Sequence, residues 1–265
     1  MPGLSSASIR LVVADLAGTT VDFGSRAPAG VFVSLFARHG VTVTDAEARG
    51  PMGTAKRDHI AALAALPNVA ATWRAKHGGP FTEADLDRLY AEFIPLQLEV
   101  LPDFGDLVPG TAEAVRALRS AGVKLAVTTG YDTAMMQIVL DGAARQGFVP
   151  DAAICASDVA AGRPAPWMIY RAMEACAVWP PTAVAAVGDT IADIEAAVNA
   201  GVRAVGVTAT GNMLGLARAE HDALAPAERA ERLAVAAERM RAAGADAVIE
   251  SVADLPALLP RLVSG

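Results

Sequence analysis

Lysine is scarce in this 265-residue chain: only Lys56, Lys76 and Lys124 occur, and the other 19 of its 22 basic residues are arginine. Where positive charge alone is wanted, arginine supplies it, so each lysine raises the question of chemistry that arginine cannot perform. Cysteine is scarcer still. Cys155 and Cys176 form no CxxC and cannot build a disulfide framework; their apolar surroundings mark them as small core residues. No stretch approaches the ~18 uninterrupted apolar residues that span a bilayer, and the opening MPGLSSASIR lacks the basic and apolar regions of a signal peptide. The expectation is a soluble, cytoplasmic protein. Charged residues make up 19% and the net charge is −7, which argues against a chain built to coat nucleic acid or an anionic membrane. A small anionic substrate stays compatible with one basic pocket. Internal repeats and low-complexity tracts are absent.

What is present is core material: 53% of the residues are hydrophobic. At ~150 residues per domain the length suits one large domain, or a large one with a small one. Short apolar runs at 9–14, 123–128, 152–155, 183–187 and 203–207 alternate with helical patterns at 132–146, 164–177 and 190–200. Another helix opens at Pro109, a long helical stretch covers about 214–243, and a last strand-helix pair covers 246–262. Such alternation predicts an α/β fold, a doubly wound parallel sheet covered on both faces. Residues 24–100 break the rhythm. They carry helical patterns at 28–39, 45–66 and 83–98, two of them opened by capping boxes, Thr44 with Glu47 and Thr82 with Asp85. The reading is an α/β core of residues 1–23 and 101–265 with a helical cap, 24–100, inserted after the first strand.

In open parallel sheets ligands bind beyond the carboxyl ends of the strands. Four strand ends here carry polar residues: Asp15, Thr128-Thr129-Gly130, Arg163, and Gly188-Asp189 followed by Asp193. Each alone is ordinary turn chemistry; all four at successive strand ends are not. This order resembles the haloacid dehalogenase superfamily of phosphotransferases. The resemblance makes Asp15 a nucleophile, Thr128 or Thr129 a phosphoryl-oxygen donor, Arg163 the basic residue and Asp189 a ligand of Mg²⁺. An aspartate attacks phosphorus only when the repulsion between two anions is removed, which a divalent cation and a basic residue accomplish. Phosphatase members carry a second aspartate two residues after the first as a general acid. Here Ala17 stands in that position and donates no proton, leaving only its carbonyl as a candidate metal ligand.

Met52, Lys56 and His59 are spaced i, i+4 and i+7 and would share one helix face. A surface lysine, a satisfied histidine and a core methionine are the ordinary explanations. Against them, Lys56 is one of three lysines and sits beside Arg57, a like charge that favours the neutral amine. A neutral amine condenses with an aldehyde to an imine; arginine does not.

The segments AGTTVDFG at 17–24, PMGTAKRDHI at 51–60, TTGYDTAMM at 128–136, AGRPAPWM at 161–168 and VGDTIADI at 187–194 together resemble the phosphonoacetaldehyde hydrolase family, over nearly the whole chain. The resemblance implies that Lys56 forms an imine with a phosphonate aldehyde while Asp15 attacks phosphorus, and that the leaving carbanion is captured as an enamine. No acid is then needed at Ala17. It further implies Mg²⁺ held by Asp15, the Ala17 carbonyl and Asp189, with Asp193 supporting that shell. Thr129, Gly130 and Arg163 would hold the phosphonyl group, Met52 and His59 would shape the lysine's surroundings, and two caps would pair in a homodimer. Leu16 replaces the aromatic residue common in the family, with its side chain expected to face away from the site. Three competing readings are a general phosphatase or phosphomutase, a dehalogenase, and a silent phosphonate sensor. The first two leave Lys56 or Asp189 without a task; intact Asp15, Lys56 and Asp189 speak against the third.

Overall fold

The structure is a computed structural model that describes residues 8–262; residues 1–7, part of the N-terminal stretch read for a targeting signal, and 263–265 lie outside the described residues. Among the described residues no helix is long and apolar enough to cross a membrane.

Six strands form one parallel sheet in the order β3-β2-β1-β4-β5-β6: β1 Leu11–Asp15, β2 Lys124–Thr129, β3 Ala152–Cys155, β4 Val184–Gly188, β5 Arg203–Val207 and β6 Ala247–Ile249. β1 is central and fully buried, as its unbroken run LVVAD requires of a strand covered on both sides. Alternate residues feed opposite faces. Leu11 and Val13 join a cluster with Ile169, Met173 and Val184, whereas Val12 and Ala14 join the larger cluster on the other face. The crossover helices are α6 Thr111–Ser120, α7 Thr133–Ala144, α8 Trp167–Ala175 and α9 Ile191–Ala200, and α10 Arg218–Asp222, α11 Pro226–Ala242 and α12 Leu255–Leu262 complete the core. Cys155 and Cys176 are free and buried.

Between β1 and α6 lie five helices without a strand: α1 Arg26–Arg38, α2 Asp45–Arg49, α3 Lys56–Ala64, α4 Pro67–His77 and α5 Glu83–Val100. Their apolar faces meet in Phe32, Leu35, Ile60, Leu63, Trp73, Leu89 and Phe93, which run without a break into the sheet's larger cluster. Two expectations need correcting. The pattern over 45–66 is two helices separated by a turn, because Gly53, at φ +91°, reverses the chain. Residues 67–77, outside the helical patterns of the sequence, form α4: Pro67 fits a first helical turn and Gly78, at φ +78°, caps the end. Lys76 therefore lies on the last turn of a helix.

Candidate active site

The sheet register gathers the polar strand ends. Asp15 ends β1 directly beside Thr128 of β2. On its other side β4 runs out into Gly188 and Asp189. A tight turn follows β1, where Gly18 adopts φ +86° and any side chain at that position would collide with the Asp189 carboxylate.

Arg163 is the hub of the site and is itself buried. Its Nη1 lies 2.7 Å from Asp15 Oδ1 and 2.8 Å from Asp193 Oδ1, while its Nη2 donates to Thr128 Oγ1 at 2.7 Å. Asp193 spends its second oxygen on the start of α9, accepting from the Thr190 hydroxyl at 2.6 Å and its N–H at 3.0 Å. This capping box fixes Asp193, and Asp193 fixes Arg163. Asp189 is held by the Thr19 hydroxyl at 3.0 Å and by the Asn212 N–H at 2.7 Å. Burial raises the pKa of Asp15, with Arg163 pulling it down and Asp193 pushing it up; burial, then Asp15 and Asp193, raise that of Asp189 well above the usual range.

Carboxylates crowded in this way are suited to a divalent cation. Among the described residues, Asp15, Asp189 and Asp193 offer ligand oxygens all within 4.8 Å of one another. Gly18 and Gly211 form a cradle around Asp189 that any Cβ would fill. The set is all hard oxygen, without nitrogen or sulfur, and so fits Mg²⁺.

The cap closes over these groups. A small cavity is walled by Asp15, Ala17, Thr129, Gly130 and Arg163 from the core and by Met52, Gly53 and Lys56 from the cap, with Ser25, Pro28, Tyr131 and Thr190 completing it. Its ~20 Å³, open to the centre of a water-sized sphere, admits about one water molecule. Where cap and core approach most closely, glycines leave the room: a Cβ on Gly130 would collide with the Thr54 carbonyl oxygen, and one on Gly53 with the Thr190 hydroxyl.

Lys56, the first residue of α3, is 6% exposed. Its Nζ lies 5.0 Å from the centre of the Tyr131 ring and 5.8 Å from that of Phe32. No ion pair to it is found among the described residues. Burial lowers its pKa from 10.5 to about 8; Asp15 opposes this and Arg163 assists. A helix N-terminus also disfavours a cation. Sequence reasoning had named Arg57 as the like charge, and this is corrected: Arg57 turns outward to Glu83 and Asp87, and the charge that acts is Arg163.

Met52 lies in the turn before α3, not on its face, yet it is buried and reaches the cavity. His59 does lie on α3 but does not line the cavity. It stacks on Phe32 at 3.8 Å between ring centres, and its Nε2 lies 2.8 Å from the Ala48 carbonyl. Burial and Lys56 push its pKa well down, so it is neutral and its Nε2 carries the proton donated to Ala48. Thr129, not Thr128, faces the cavity, because Thr128 is turned to Arg163. The Leu16 side chain is buried in the core. Tyr131 escaped the sequence reading although it follows Thr129-Gly130 directly, and Asp22 escaped it too. Asp22 accepts from the Arg26 and Ala27 N–H groups at 3.0 Å each, and burial raises its pKa to about 6.

A model of the haloacid dehalogenase-like hydrolase family matches residues 9–201. A Paraburkholderia phytofirmans protein named phosphonoacetaldehyde hydrolase is 47% identical over 93% of this chain and 92% of its own. A Nitratidesulfovibrio vulgaris protein of the same name is 44% identical over 97% and 93%. The crystal structure of a phosphonoacetaldehyde hydrolase-like protein from Oleispira antarctica superposes with a TM-score of 0.96 at 36% identity, covering 100% of this chain and 96% of its own.

Proposed function

The chain belongs to the haloacid dehalogenase-like hydrolase family, and from that premise we propose that it hydrolyses the carbon–phosphorus bond of phosphonoacetaldehyde to acetaldehyde and phosphate. The observation that carries the proposal is the buried amine of Lys56 in the wall of the cavity that also holds Asp15. With its pKa near 8, a useful fraction of that amine is neutral at pH 7.5.

The neutral Lys56 amine adds to the aldehyde carbon, and the adduct takes one proton from solvent and loses water to give a protonated imine. The Asp15 carboxylate attacks phosphorus; the electron pair of the C–P bond moves into the imine and neutralises its charge, leaving an enamine on Lys56 and a phosphoryl group on Asp15. Water then cleaves the acyl phosphate and frees phosphate. Protonation of the enamine carbon restores the imine, whose hydrolysis releases acetaldehyde and the amine. A leaving group that departs as an enamine needs no acid, which accounts for Ala17. Arg163, Thr129 and the Gly130 backbone hold the phosphonyl oxygens, Met52 and Tyr131 wall the aldehyde, and neutral His59 backs Phe32 without adding charge beside Lys56. Asp15, the Ala17 carbonyl and Asp189 would hold Mg²⁺, which would offset the negative charge on the phosphonate.

Phosphonoacetaldehyde has seven heavy atoms and the cavity admits about one water, so the cap, 24–100, lifts from the core, 1–23 and 101–265, to admit substrate. Family resemblance adds a cytoplasmic homodimer joined through the caps. The test is release of inorganic phosphate from phosphonoacetaldehyde, with and without Mg²⁺. Mg²⁺-dependent release is expected; binding of the aldehyde without any release would leave the sensor reading in its place.

A further inference from the structure

One charged side chain outside the catalytic cavity joins three separate parts of the molecule. Arg49 ends the cap helix α2. Its Nε donates to Asp45 at 2.7 Å, within the cap. Its Nη1 donates to the Gly24 and Ser25 carbonyls, at 2.9 and 3.2 Å, where the chain leaves the core. Nη1 also meets Asn212 Oδ1 at 3.2 Å, and Nη2 donates to the Gly215 carbonyl at 3.1 Å, both in the loop after β5. Asn212 returns the contact: its Nδ2 donates to the Arg49 carbonyl at 3.0 Å. Gly215 has φ +64°, and a side chain there would strike the guanidinium, so the loop is shaped around it. Alongside runs a cleft of about 520 Å³ lined by Asp45, Arg49, Met52, Thr190 and Asn212. The seam is unpacked there, and Arg49 is what bridges it.

The consequence lies one bond further on. The backbone N–H of the same Asn212 donates to Asp189 Oδ2 at 2.7 Å. The Asn212 side chain senses the cap while its main chain aims a carboxylate of the cation site. We propose that Arg49 and Asn212 form a closure clamp that couples seating of the cap to the orientation of Asp189, so that divalent-cation affinity and cap closure reinforce each other. This rests on the reading of Asp15 and Asp189 as a cation site. Linkage makes the coupling reciprocal: whatever closure adds to cation binding, the cation adds to closure. Arg49 and Asn212 are positioning residues, with no contact to the reacting atoms.

The test is calorimetric titration of substrate-free protein with MgCl₂, for the parent, Arg49→Ala, Asn212→Ala and the double variant. Simple charge predicts that losing the Arg49 cation tightens Mg²⁺ binding. The clamp predicts the opposite sign, a weakening of about tenfold. Asn212→Ala keeps its own N–H and should weaken binding similarly, and the double variant should be no worse than either single one. Small-angle scattering should show Mg²⁺ compacting the parent but not Arg49→Ala. Equal or tighter binding in folded Arg49→Ala overturns the clamp, as do additive effects of the two substitutions. Should Arg49→Ala fail to fold, unchanged affinity in Asn212→Ala overturns it alone. No Mg²⁺ uptake by the parent overturns the cation-site reading itself, a different and separable result.

Discussion

Replacing Lys56 by methionine should stabilise the protein at neutral pH while ending turnover. The folded protein holds this amine at a pKa of about 8 against an ordinary 10.5. At ~1.4 kcal/mol per pKa unit, the buried ammonium costs about 3 kcal/mol of stability. Between pH 8 and 10.5 the unfolded chain binds more protons than the folded one, so stability rises with pH across that window. The cost is fully present below pH 8 and has fallen to about 1 kcal/mol by pH 10. Methionine is similar in length and uncharged, so it removes this cost, which is already net of the attraction that Asp15 and Asp189 exert on the ammonium. The net gain at pH 7 should be about 3 kcal/mol, or roughly 6–12 °C in Tm for a chain of this size. Urea unfolding of chelator-treated protein, followed by circular dichroism at pH 7 and pH 10, reads both the gain and its decline. A variant less stable than the parent at pH 7, or a gain as large at pH 10, would refute the account of Lys56 as a desolvated cation.

Lys56→Arg keeps the charge and loses the imine, so phosphate release should fall to background in a folded protein; near-normal turnover would end the Schiff-base mechanism. Borohydride with phosphonoacetaldehyde should reduce an adduct onto Lys56 alone, read by peptide mass mapping. Lys124, whose Nζ is held by the Cys176 carbonyl at 2.7 Å, and Lys76, on the last turn of α4, should stay unmodified; an adduct on either, or none at all, contradicts the mechanism. Ala17→Asp should bring no gain in C–P cleavage and a modest loss, since it sets another negative charge beside Asp15; a clear gain in rate would show that the alanine is not explained by the leaving group. Gly130→Ala should push the Thr54 carbonyl away and lower kcat/KM by about 10- to 100-fold through misplacement, with unchanged circular dichroism; retention of kcat/KM would show that closure does not need this approach.

The sheet was legible because each strand is a short apolar run ended by a turn, and because Asp15, Thr128 and Asp189 sit at strand ends, with Arg163 in the loop that follows β3. The cap was less so. Helix α4 buries only Val69 and Trp73, too few for a periodic pattern, although Pro67 and Gly78 marked its ends. The spacing of Met52, Lys56 and His59 suggested one helix face, but Gly53 turns the chain between the first two. Which arginine acts on Lys56 could not be read from chain neighbours, because Arg163 reaches it only through the closed fold. Choosing between Thr128 and Thr129 required knowing which face of β2 meets Arg163. Arg49 gave no local signal, for its partners at 24–25 and 212–215 are distant in sequence.

Where the helical insertion meets the sheet, the tightest approaches fall on glycines: the Thr54 carbonyl against Gly130, the Thr190 hydroxyl against Gly53, and Ala55 against Gly162. A joint of that kind is a socket whose fit is set by small residues, apart from the side chains that wall the cavity. In the proposed mechanism the half that would handle phosphorus, Asp15, Arg163, Asp189 and Asp193, sits wholly on the sheet side. The amine and the walls around it sit at positions 52, 56 and 131, one of which is on a core loop. Descendants of such a molecule could acquire a new leaving group by changing a handful of side chains at the rim of the socket, while the phosphorus chemistry and the fit of the joint pass down unaltered.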